Sequence, residues 1–479
     1  MPHVHHRQYA MMRPGPVTPP PTGASSSYVA THYVVPYASA SGSPANDYVD
    51  SGATVWANAA SEGTPCNFGT ALARATAGNN VRVWLGIYLG PQTGNRFIPS
   101  FAPANSGTVS NPLIFFAPYP AATNYGSPSL YTEVRKIGVA GGTNCPVLGV
   151  TNKNYVIFDG FYADEDYNYA APNGGIFLLQ LTTGPALRRV AIRRSTGASY
   201  PAGYNGNAIY LEATIDAVIT DSLLSGHATS QGNIHNDSNN EIYNSANYLV
   251  ENNTFDGHNV GFFCKENDAG SPYVTSGTVR YNRFLNGRRH IEIQQGVTNV
   301  VHNNLLYSMS QSGDSAIVMD AGPNRGNEDL NFHHNTIVIN STNTGFQIEP
   351  TIFIVTSDFK DNIIYGSAGA TGYMIQSVGA SVNWSWADWT MNYNNYYNGG
   401  TLTFVDDDGS TVSGIANWRT TSGEDANTIT TDPQFVDAAN FNFKLNAGSP
   451  ALTASSTGGP VGCYITGDEE IGVRANPIY

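Results

Sequence analysis

One six-residue pattern recurs along the chain: an apolar residue, two variable residues, an asparagine, a variable residue and a second apolar residue. It occurs as VENNTF (250–255), VRYNRF (279–284), VVHNNL (300–305), FHHNTI (332–337), FKDNII (359–364) and MNYNNY (391–396), with the looser copies VIFDGF (156–161) and VITDSL (218–223) before them. Repeats of this length and irregularity are typical of stacked coils whose loops vary. Side chains stacked at one bend can hydrogen-bond along the column, so the pattern predicts a solenoid with a polar ladder. The ladder residues are predicted to be Asp221, Asn253, Asn282, Asn303, Asn335, Asn362 and Asn394.

A second strand precedes each bend, namely IYLE (209–212), IHND (234–237), FFCK (262–265), IEIQ (291–294), IVMD (317–320), FQIE (346–349) and YMIQ (373–376). Because strand residues alternate between faces, the second and fourth positions are predicted to point outward. Those columns hold Tyr210, His235, Phe263, Glu292, Val318, Gln347 and Met374, and then Glu212, Asp237, Lys265, Gln294, Asp320, Glu349 and Gln376. With strands about 4.8 Å apart, they form a strip roughly 30 Å long. We therefore predict a polysaccharide site whose contact residues are Tyr210, Glu212, His235, Asp237, Phe263, Gln294 and Gln347.

Composition excludes several classes of partner. The chain has 479 residues, 12% of them charged, and a net charge of −14. Its basic residues are never clustered beyond pairs, so nucleic acid is not an expected partner. No apolar run approaches the length of a membrane span, and no membrane partner is expected. The four cysteines, Cys66, Cys145, Cys264 and Cys463, fit neither zinc spacing nor a disulfide framework and are predicted to be buried thiols.

The ends of the chain suggest its organisation. The segment TDPQFVDAANFNFKLNAGSPAL (431–452) resembles the C-terminal closing segment of right-handed β-helix proteins of the pectate-lyase-like superfamily. With the asparagine repeat, the resemblance covers about residues 30 to 479. It implies an all-β, right-handed parallel β-helix solenoid, and only loosely a role on carbohydrate. The predicted parts are an extended Pro-rich arm (1–27), an N-terminal cap and first coils (28–150), regular coils (151–400) and a closing segment (401–479).

An N-terminal capping helix is predicted within residues 68–88. There Leu72 and Ala75 suit one face of a short helix, which Gly78 and Asn79 would end. A solenoid needs such a cap because its first coil has no neighbour.

One stretch resembles a lyase family. The residues FFCKEN…VRYNRFLNGRRHIEIQQG are similar to the family of chondroitinase B and some alginate lyases, in which a strand ending in a lysine precedes an asparagine bend. The resemblance implies that Lys265 is the base that removes the proton next to a uronate carboxyl, which starts β-elimination. Asn282 takes the bend position.

The stretch also departs from that family. The Arg-His pair of the family falls on Gln294 and Gln295, and its calcium-binding acids fall on His258 and Val260. Other nearby groups could neutralise a uronate carboxylate instead, namely Arg288, Arg289 and His290. No cofactor or metal site is predicted, and nothing in the sequence supports a structural or substrate-bridging calcium ion.

Carboxylates of the same strip offer a different chemistry. Glu292, Asp320 and Glu349 fall on three consecutive coils. Neighbours in one column, Asp320 and Glu349, would lie about 5 Å apart, near the spacing of retaining glycosidases. Glu292 and Asp320 would lie about 7 Å apart, within the inverting range. Hydrolysis and a merely hydrogen-bonding acidic strip both remain open.

Two other groups of side chains have a structural explanation. His333 and His334 are adjacent in sequence, so we expect them on opposite faces of a strand and unable to chelate together. The aromatic cluster WSWADW (384–389) could stack on sugar rings or cap the last coils, and capping is favoured.

Two functions remain open from the sequence. The first is a virion protein, tailspike-like or a decoration protein, that binds and could also cleave surface polysaccharide on the virion surface. The second is a free extracellular polysaccharide lyase or glycoside hydrolase that acts on an acidic glycan. The N-terminus lacks the apolar core of a secretory signal, and its Pro-rich leader favours an attachment arm that contacts other virion proteins. The resemblance to tailspikes also implies a homotrimer.

Overall fold

The computed structural model describes residues 28–34, 66, 68–83, 86–90, 99–117, 132–136, 146–164, 174–193, 206–225, 238–243, 245–265, 275–294, 298–320, 327–349, 353–354, 357–367, 369–381 and 384–474. Within these ranges three parallel sheets run the length of the stack, with 13, 11 and 11 strands. From Leu113–Phe116 onward, each coil contributes a strand to sheet 1, then one to sheet 2, then one to sheet 3. The predicted all-β parallel β-helix is therefore confirmed, and crossovers between parallel strands are right-handed in nearly all proteins.

The strands are short, two to seven residues, and stack in the following order. Sheet 1 contains His32–Val34, Asn80–Val83, Leu113–Phe116, Val156–Asp159, Ala186–Arg188, Val218–Thr220, Tyr248–Glu251, Ser276–Arg280, Thr298–His302, Asn327–His333, Ser357–Lys360 and Trp389–Asn392, with Phe353–Ile354 paired to Asn327–His333. Sheet 2 contains Gly86–Gly90, Thr132–Lys136, Phe161–Asp164, Ala191–Arg193, Leu223–Ser225, Thr254–Asp256, Arg283–Leu285, Leu305–Tyr307, Thr336–Ile339, Ile363–Gly366 and Asn395–Tyr397.

Sheet 3 contains Leu148–Thr151, Gly174–Gln180, Gly206–Glu212, Ser238–Tyr243, Val260–Lys265, Arg289–Gln294, Ser315–Asp320, Thr344–Ile348, Ile375–Ser377 and Thr403–Val405, followed by the antiparallel strand Thr411–Ser413. Two α-helices, Phe68–Arg74 and Ile415–Ser422, and a hairpin of Phe435–Asp437 with Asn442–Leu445 complete the fold. None of the helices in the described ranges is long and apolar enough to cross a membrane.

The core is built from unbroken columns of apolar side chains. In sheet 1 the strand register aligns one fully buried residue from each of eleven coils: Val81, Phe115, Phe158, Leu187, Ile219, Val250, Val279, Val301, Phe332, Phe359 and Met391. Each such apolar residue packs on its neighbour one strand spacing away, so every coil is stabilised by the next.

The bend between sheets 1 and 2 carries the asparagine ladder. The Nδ2 group of Asn253 donates to Oδ1 of Asn282 over 3.1 Å, and the chain of such bonds continues to the end of the stack. The further members are Asn304, Asn335, Asn362 and Asn394, each fully buried. Each Oδ1 also accepts from the backbone N–H of the preceding coil's ladder residue. The ladder thus satisfies buried backbone groups that the bend leaves unpaired.

Two ladder positions were predicted wrongly. Asn304, not Asn303, occupies the ladder in the VVHNNL coil, and Ser222, not Asp221, occupies it one coil before Asn253. The residue before each of these two ladder positions has a positive φ, 54° at Asn303 and 52° at Asp221. That left-handed conformation turns the chain and points the side chain away from the ladder.

A buried carboxylate ends the ladder. Asp425 accepts hydrogen bonds from Nδ2 of Asn394 (3.1 Å), Nε1 of Trp418 (2.8 Å) and the hydroxyls of Tyr396 and Thr428. Burial raises the pKa of this carboxyl group, and the bonds from Thr428 and Trp418 oppose that rise.

Both ends of the described stack contain packed aromatic residues. Near the N-terminal end, Phe68 of the helix Phe68–Arg74 contacts Phe101 and Phe161, although the role of this helix as a cap stays a prediction. At the other end, Trp384, Trp386 and Trp389 are buried, and Trp386 packs on Trp418 at 4.9 Å between ring centroids. The WSWADW cluster therefore caps the last coils, as favoured from the sequence. Cys66, Cys264 and Cys463 are buried without a disulfide among the described residues, whereas Cys145 lies outside them.

The C-terminal segment runs back along the bend from the late coils towards the middle of the stack. Ser456 donates to Asp361, Asn303 donates to the carbonyl of Cys463, and Asn252 donates to the carbonyl of Glu470. We call residues 449–474 the strap. Its apolar side chains pack against the outer face of sheet 2, where they form a second cluster with Leu305, Tyr307, Val338 and Ile363.

Loss of the last strap contact should loosen the strap. The guanidinium of Arg474 donates to both carboxylate oxygens of Asp221 (2.7 and 2.5 Å), and the Asp221 side chain is fully buried. Because Arg474 is 26% exposed, we expect Arg474→Met to lower the free energy of unfolding by about 1–2 kcal/mol, less than for a fully buried ion pair. Urea denaturation measures the change. Arg280→Met, which removes an exposed pair with Glu251, is the control and should cost under about 1 kcal/mol; equal costs would contradict the anchoring role.

Candidate functional site

The outer face of sheet 3 carries two columns whose members the strand register fixes. The middle column contains Gly149, Leu178, Tyr210, Glu241, Phe263, Glu292, Val318, Gln347 and Gln376. The end column contains Thr151, Gln180, Glu212, Tyr243, Lys265, Gln294 and Asp320. Glu349 follows them, since its backbone N–H donates to the carbonyl of Met319, next to Asp320.

Two coils differ from the prediction. The strand Ser238–Tyr243 places Glu241 and Tyr243 in the columns, so the placement of His235 and Asp237 there was wrong. Both residues lie outside the described part of the chain, and their contact with a glycan stays a prediction. In the YMIQ coil, Gln376 pairs with Gln347 and belongs to the middle column. Met374 is fully buried, because two consecutive residues, Met374 and Ile375, face the core there.

The middle column is largely covered. Tyr210 is 8% exposed, Phe263 2% and Glu292 6%. Tyr210 packs on Leu178 of the preceding coil. At these three positions the outward side chains are therefore not an accessible surface, since period-two alternation predicts only that a side chain points away from the core, not that solvent reaches it.

The accessible part of the face is a row of amides and carboxylates at the carboxyl ends of the strands. Glu212, Gln294, Gln347 and Glu349 are all partly exposed. Gln180, a residue that the sequence reasoning missed, donates from Nε2 to the carboxylate of Glu212 over 2.7 Å. Gln347 donates in the same way to Glu349 over 3.1 Å and accepts from the hydroxyl of Ser315. Glu212 and Glu349 are thus each held by an amide and keep capacity to accept hydrogen bonds from a ligand.

Two arginines lie at the amino-terminal end of the strand Arg289–Gln294, and both are paired with carboxylates. Nε of Arg288 lies 2.9 Å from Asp314, and Nη1 of Arg289 lies 2.8 Å from Glu292. Nε of Arg289 also lies 3.8 Å from Asp314. Asp314 was missed in the sequence because it precedes the strand Ser315–Asp320 and so falls outside the period-two pattern.

His290 does not reach the outer face. It is fully buried beside His258, with Nδ1 3.1 Å from Nε2 of that ring. Burial lowers the pKa of His290 to about 3, so it is uncharged at neutral pH and cannot neutralise a uronate. The pair is tightly enclosed, since a Cβ on Gly287 would lie 1.9 Å from Nε2 of His258. The sequence prediction that included His290 as a uronate partner was wrong, because two consecutive residues, His290 and Ile291, are buried at this point of sheet 3.

The two residues with the strongest catalytic expectations have described backbones only. Lys265 ends the strand Val260–Lys265 and pairs with Gln294 on the next coil. Asp320 ends the strand Ser315–Asp320 and pairs with Gln294 on the other side. Their side chains lie outside the described part of the chain, so the roles of Lys265 in elimination and of Asp320 with Glu292 or Glu349 in hydrolysis stay predictions.

Metal-binding groups are sparse in the described coils. No three side chains of histidine, cysteine, aspartate or glutamate are grouped there so that they could hold an ion. His333 and His334 do lie together, with their Nδ1 atoms 3.0 Å apart, which contradicts the expectation of opposite faces. The reason is that His334 has a φ of 53° at the bend, where strand alternation ends.

Comparisons with known proteins show no family for this chain. No protein-family model and no curated protein sequence matches the chain. The structure is similar to an alginate lyase from Paenibacillus sp. str. FPU-7 (17% identity, 70% of this chain and 91% of the other, TM-score 0.39). It is also similar to a PL6 family polysaccharide lyase from Pseudopedobacter saltans (9%, 85% and 97%, 0.44) and to the A-module of an Azotobacter vinelandii mannuronan C-5 epimerase (11%, 74% and 92%, 0.43). At these identities and TM-scores neither the fold nor the function can rest on the likenesses, and the β-helix is established by strand register alone.

Proposed function

We propose that this chain is a polysaccharide-binding β-helix protein and that the row Glu212, Gln294, Gln347 and Glu349 contacts the glycan. The observation that carries the proposal is that these partly exposed hydrogen-bonding side chains lie on one face of sheet 3, on or directly after the first, fourth and sixth of six consecutive strands. At about 4.8 Å per strand they span roughly 24 Å. The row consists of amides and carboxylates that are each partly exposed, and neighbouring amides hold Glu212 and Glu349 in place. Such a row suits a ligand whose hydroxyl groups repeat along a chain.

Alanine substitutions in this row should weaken glycan binding. We expect Gln347→Ala and Glu212→Ala each to weaken binding about tenfold, since each removes hydrogen bonds worth about 1–2 kcal/mol to a ligand. Affinity electrophoresis against capsular polysaccharides and lipopolysaccharide O-chains gives the measurement. Thr390→Ala, an exposed position on the outer face of sheet 1, is the control and should leave affinity unchanged. Equal effects of all three substitutions would contradict the assignment of the site.

The finer proposal is a virion protein, tailspike-like or a decoration protein, that assembles as a homotrimer on the virion surface. Its support is the composition of residues 1–27, which suits an extended attachment arm. Deletion of residues 1–27 should then leave polysaccharide binding intact and abolish incorporation into particles. Incorporation of the truncated chain would count against the virion role.

The alternative is a free extracellular enzyme. The position of Lys265 in the end column, in register with Gln294, supports this alternative. A lyase would generate an unsaturated, ultraviolet-absorbing product from a polyuronate, and Lys265→Ala would abolish that product. A hydrolase would release reducing ends without that absorbance, and Asp320→Asn would abolish the release.

A further inference from the structure

We infer that the glycan bound by sheet 3 is uncharged rather than a polyuronate, an inference that rests on the proposed function and names its substrate class. It follows from the balance of charge on the face that would meet the glycan. Two sets of groups decide this balance. The first is the charged residues at the outward register positions of sheet 3, and the second is Arg288 and Arg289 with their carboxylate partners.

Acidic residues dominate the two columns. The charged residues at their positions, including Glu349 beside Asp320, are Glu212, Glu241, Lys265, Glu292, Asp320 and Glu349. Five carry a carboxyl group and one an ammonium group, and if Glu292 is set aside because it is paired with Arg289, four carboxyl groups remain against one ammonium group. A polyuronate places a negative charge on each sugar, so it would meet a face whose register positions hold more carboxyl than ammonium groups, which is unfavourable.

The two arginines do not offset this balance, because the described carboxylates already neutralise them. Arg288 is paired with Asp314, and Arg289 is paired with Glu292 and approaches Asp314. The carboxylate side chains of Glu292 and Asp314 are 8% and 15% exposed. Their arginine partners are 25% and 36% exposed, so the pairs are partly open to solvent and partly screened by salt. A uronate carboxylate that approached either guanidinium would therefore meet a carboxylate that already binds it, which weakens the attraction.

The remaining polar groups favour hydroxyl ligands. The carboxylate of Glu212 is fixed by Gln180, and that of Glu349 is fixed by Gln347. An ionised carboxylate only accepts hydrogen bonds, and a sugar hydroxyl is the group that can donate to it. An uncharged glycan therefore matches the face in both charge and hydrogen-bonding capacity.

The inference restricts the chemistry as well. Elimination requires a carboxyl group beside the carbon that loses its proton, and an uncharged sugar has none. On an uncharged glycan the face could bind or hydrolyse, whereas Lys265 would have no role as an elimination base.

The test compares polyuronates with their carboxyl-reduced forms, which keep the linkage and lose the charge, and includes uncharged bacterial surface polysaccharides in one panel. We expect the full chain to bind uncharged glycans at least about tenfold more tightly than polyuronates at low ionic strength. Tighter binding to polyuronates would overturn the inference and leave the proposed function standing. Binding to no glycan of either kind would overturn the proposed function, and the inference with it.

A variant that removes one carboxylate charge tests the inference independently of the glycan panel. Asp314→Asn should release Arg288 and weaken the restraint on Arg289, so polyuronate binding should rise about tenfold at low salt and fall again at high salt. Asp358→Asn removes a similar ion pair with Lys360 on the outer face of sheet 1 and is the matched control. Glu292→Gln, which releases Arg289, serves if Asp314→Asn does not fold. Unchanged polyuronate binding in both folded site variants would overturn the electrostatic basis of the inference.

Discussion

Replacing Asn335 by leucine should lower the free energy of unfolding by about 4 kcal/mol, the largest effect expected of a single substitution in the ladder. Its Oδ1 accepts from the backbone and side-chain N–H groups of Asn304, and its Nδ2 donates to the carbonyl of Val301 and to Asn362. Leucine has a similar size and restores none of these bonds. Several buried polar groups are then left unpaired at once, and each unpaired group costs about 1–3 kcal/mol. Urea denaturation followed by circular dichroism measures the loss.

Asn398→Ala is the control for the ladder prediction. Asn398 also makes two hydrogen bonds, to Gly400 and Thr401, but in an exposed turn where water can replace them. We expect that substitution to cost under about 1 kcal/mol. A similar cost at the two positions would mean that stacking within the ladder contributes nothing beyond ordinary turn contacts.

Stability should also fall in acid because of the histidine pair beneath the candidate site. The pKa of His290 is about 3 in the folded chain, against 6.5 for the ordinary group. Between those pH values the unfolded chain binds a proton that the folded chain does not, so acid favours unfolding. The contribution is complete above pH 6.5 and is lost as the pH falls towards 3, by about 5 kcal/mol in total.

His290→Gln isolates this contribution. Glutamine can keep a hydrogen bond to His258 and does not titrate, so the variant should lose less stability than the wild type between pH 6.5 and pH 4. His32→Gln is the control, because His32 is half-exposed and its pKa is lowered by a smaller desolvation. Parallel curves for the wild type and His290→Gln would show that the buried pair does not govern acid unfolding.

The sequence predicted the fold because the fold depends on a repeated local pattern. Each coil places an apolar pair around one bend, and the bend position is marked by asparagine. The ladder residue was predicted wrongly in the two coils where two adjacent polar residues both suit the bend position. In VVHNNL both Asn303 and Asn304 fit the pattern, and in VITDSL the aspartate is more conspicuous than the serine that takes the ladder place.

The candidate site was harder to predict, and the coil of Ser238–Tyr243 shows why. Asn240 is in register with Ile209 and Phe262, the core residues of the neighbouring coils, so IHND matched the apolar pattern better than SNNEIY. Spacing gives no signal that corrects the choice, because the distance from the end column to the ladder varies between coils. It is ten positions from Glu212 to Ser222 and seventeen from Lys265 to Asn282.

The sequence pattern could not predict which outward side chains are covered or which charged groups are paired, and the reason is different. Tyr210 and Phe263 point away from the core and are still covered, and Asp314 joins the site from a turn. These features depend on contacts between segments far apart in the chain, which no local period encodes. The same holds for the strap, whose Arg474 meets Asp221 from a distance of 253 residues.

Carboxyl footprinting tests the central claim most directly. A carbodiimide and an amine label accessible carboxylates, and mass spectrometry reports each site with and without a saturating glycan. If sheet 3 binds the glycan, Glu212 and Glu349 should be protected, while Glu251 and Asp358 on the outer face of sheet 1 should label as before. Protection of Glu251 and Asp358 with full labelling of Glu212 and Glu349 would contradict the assignment of the site.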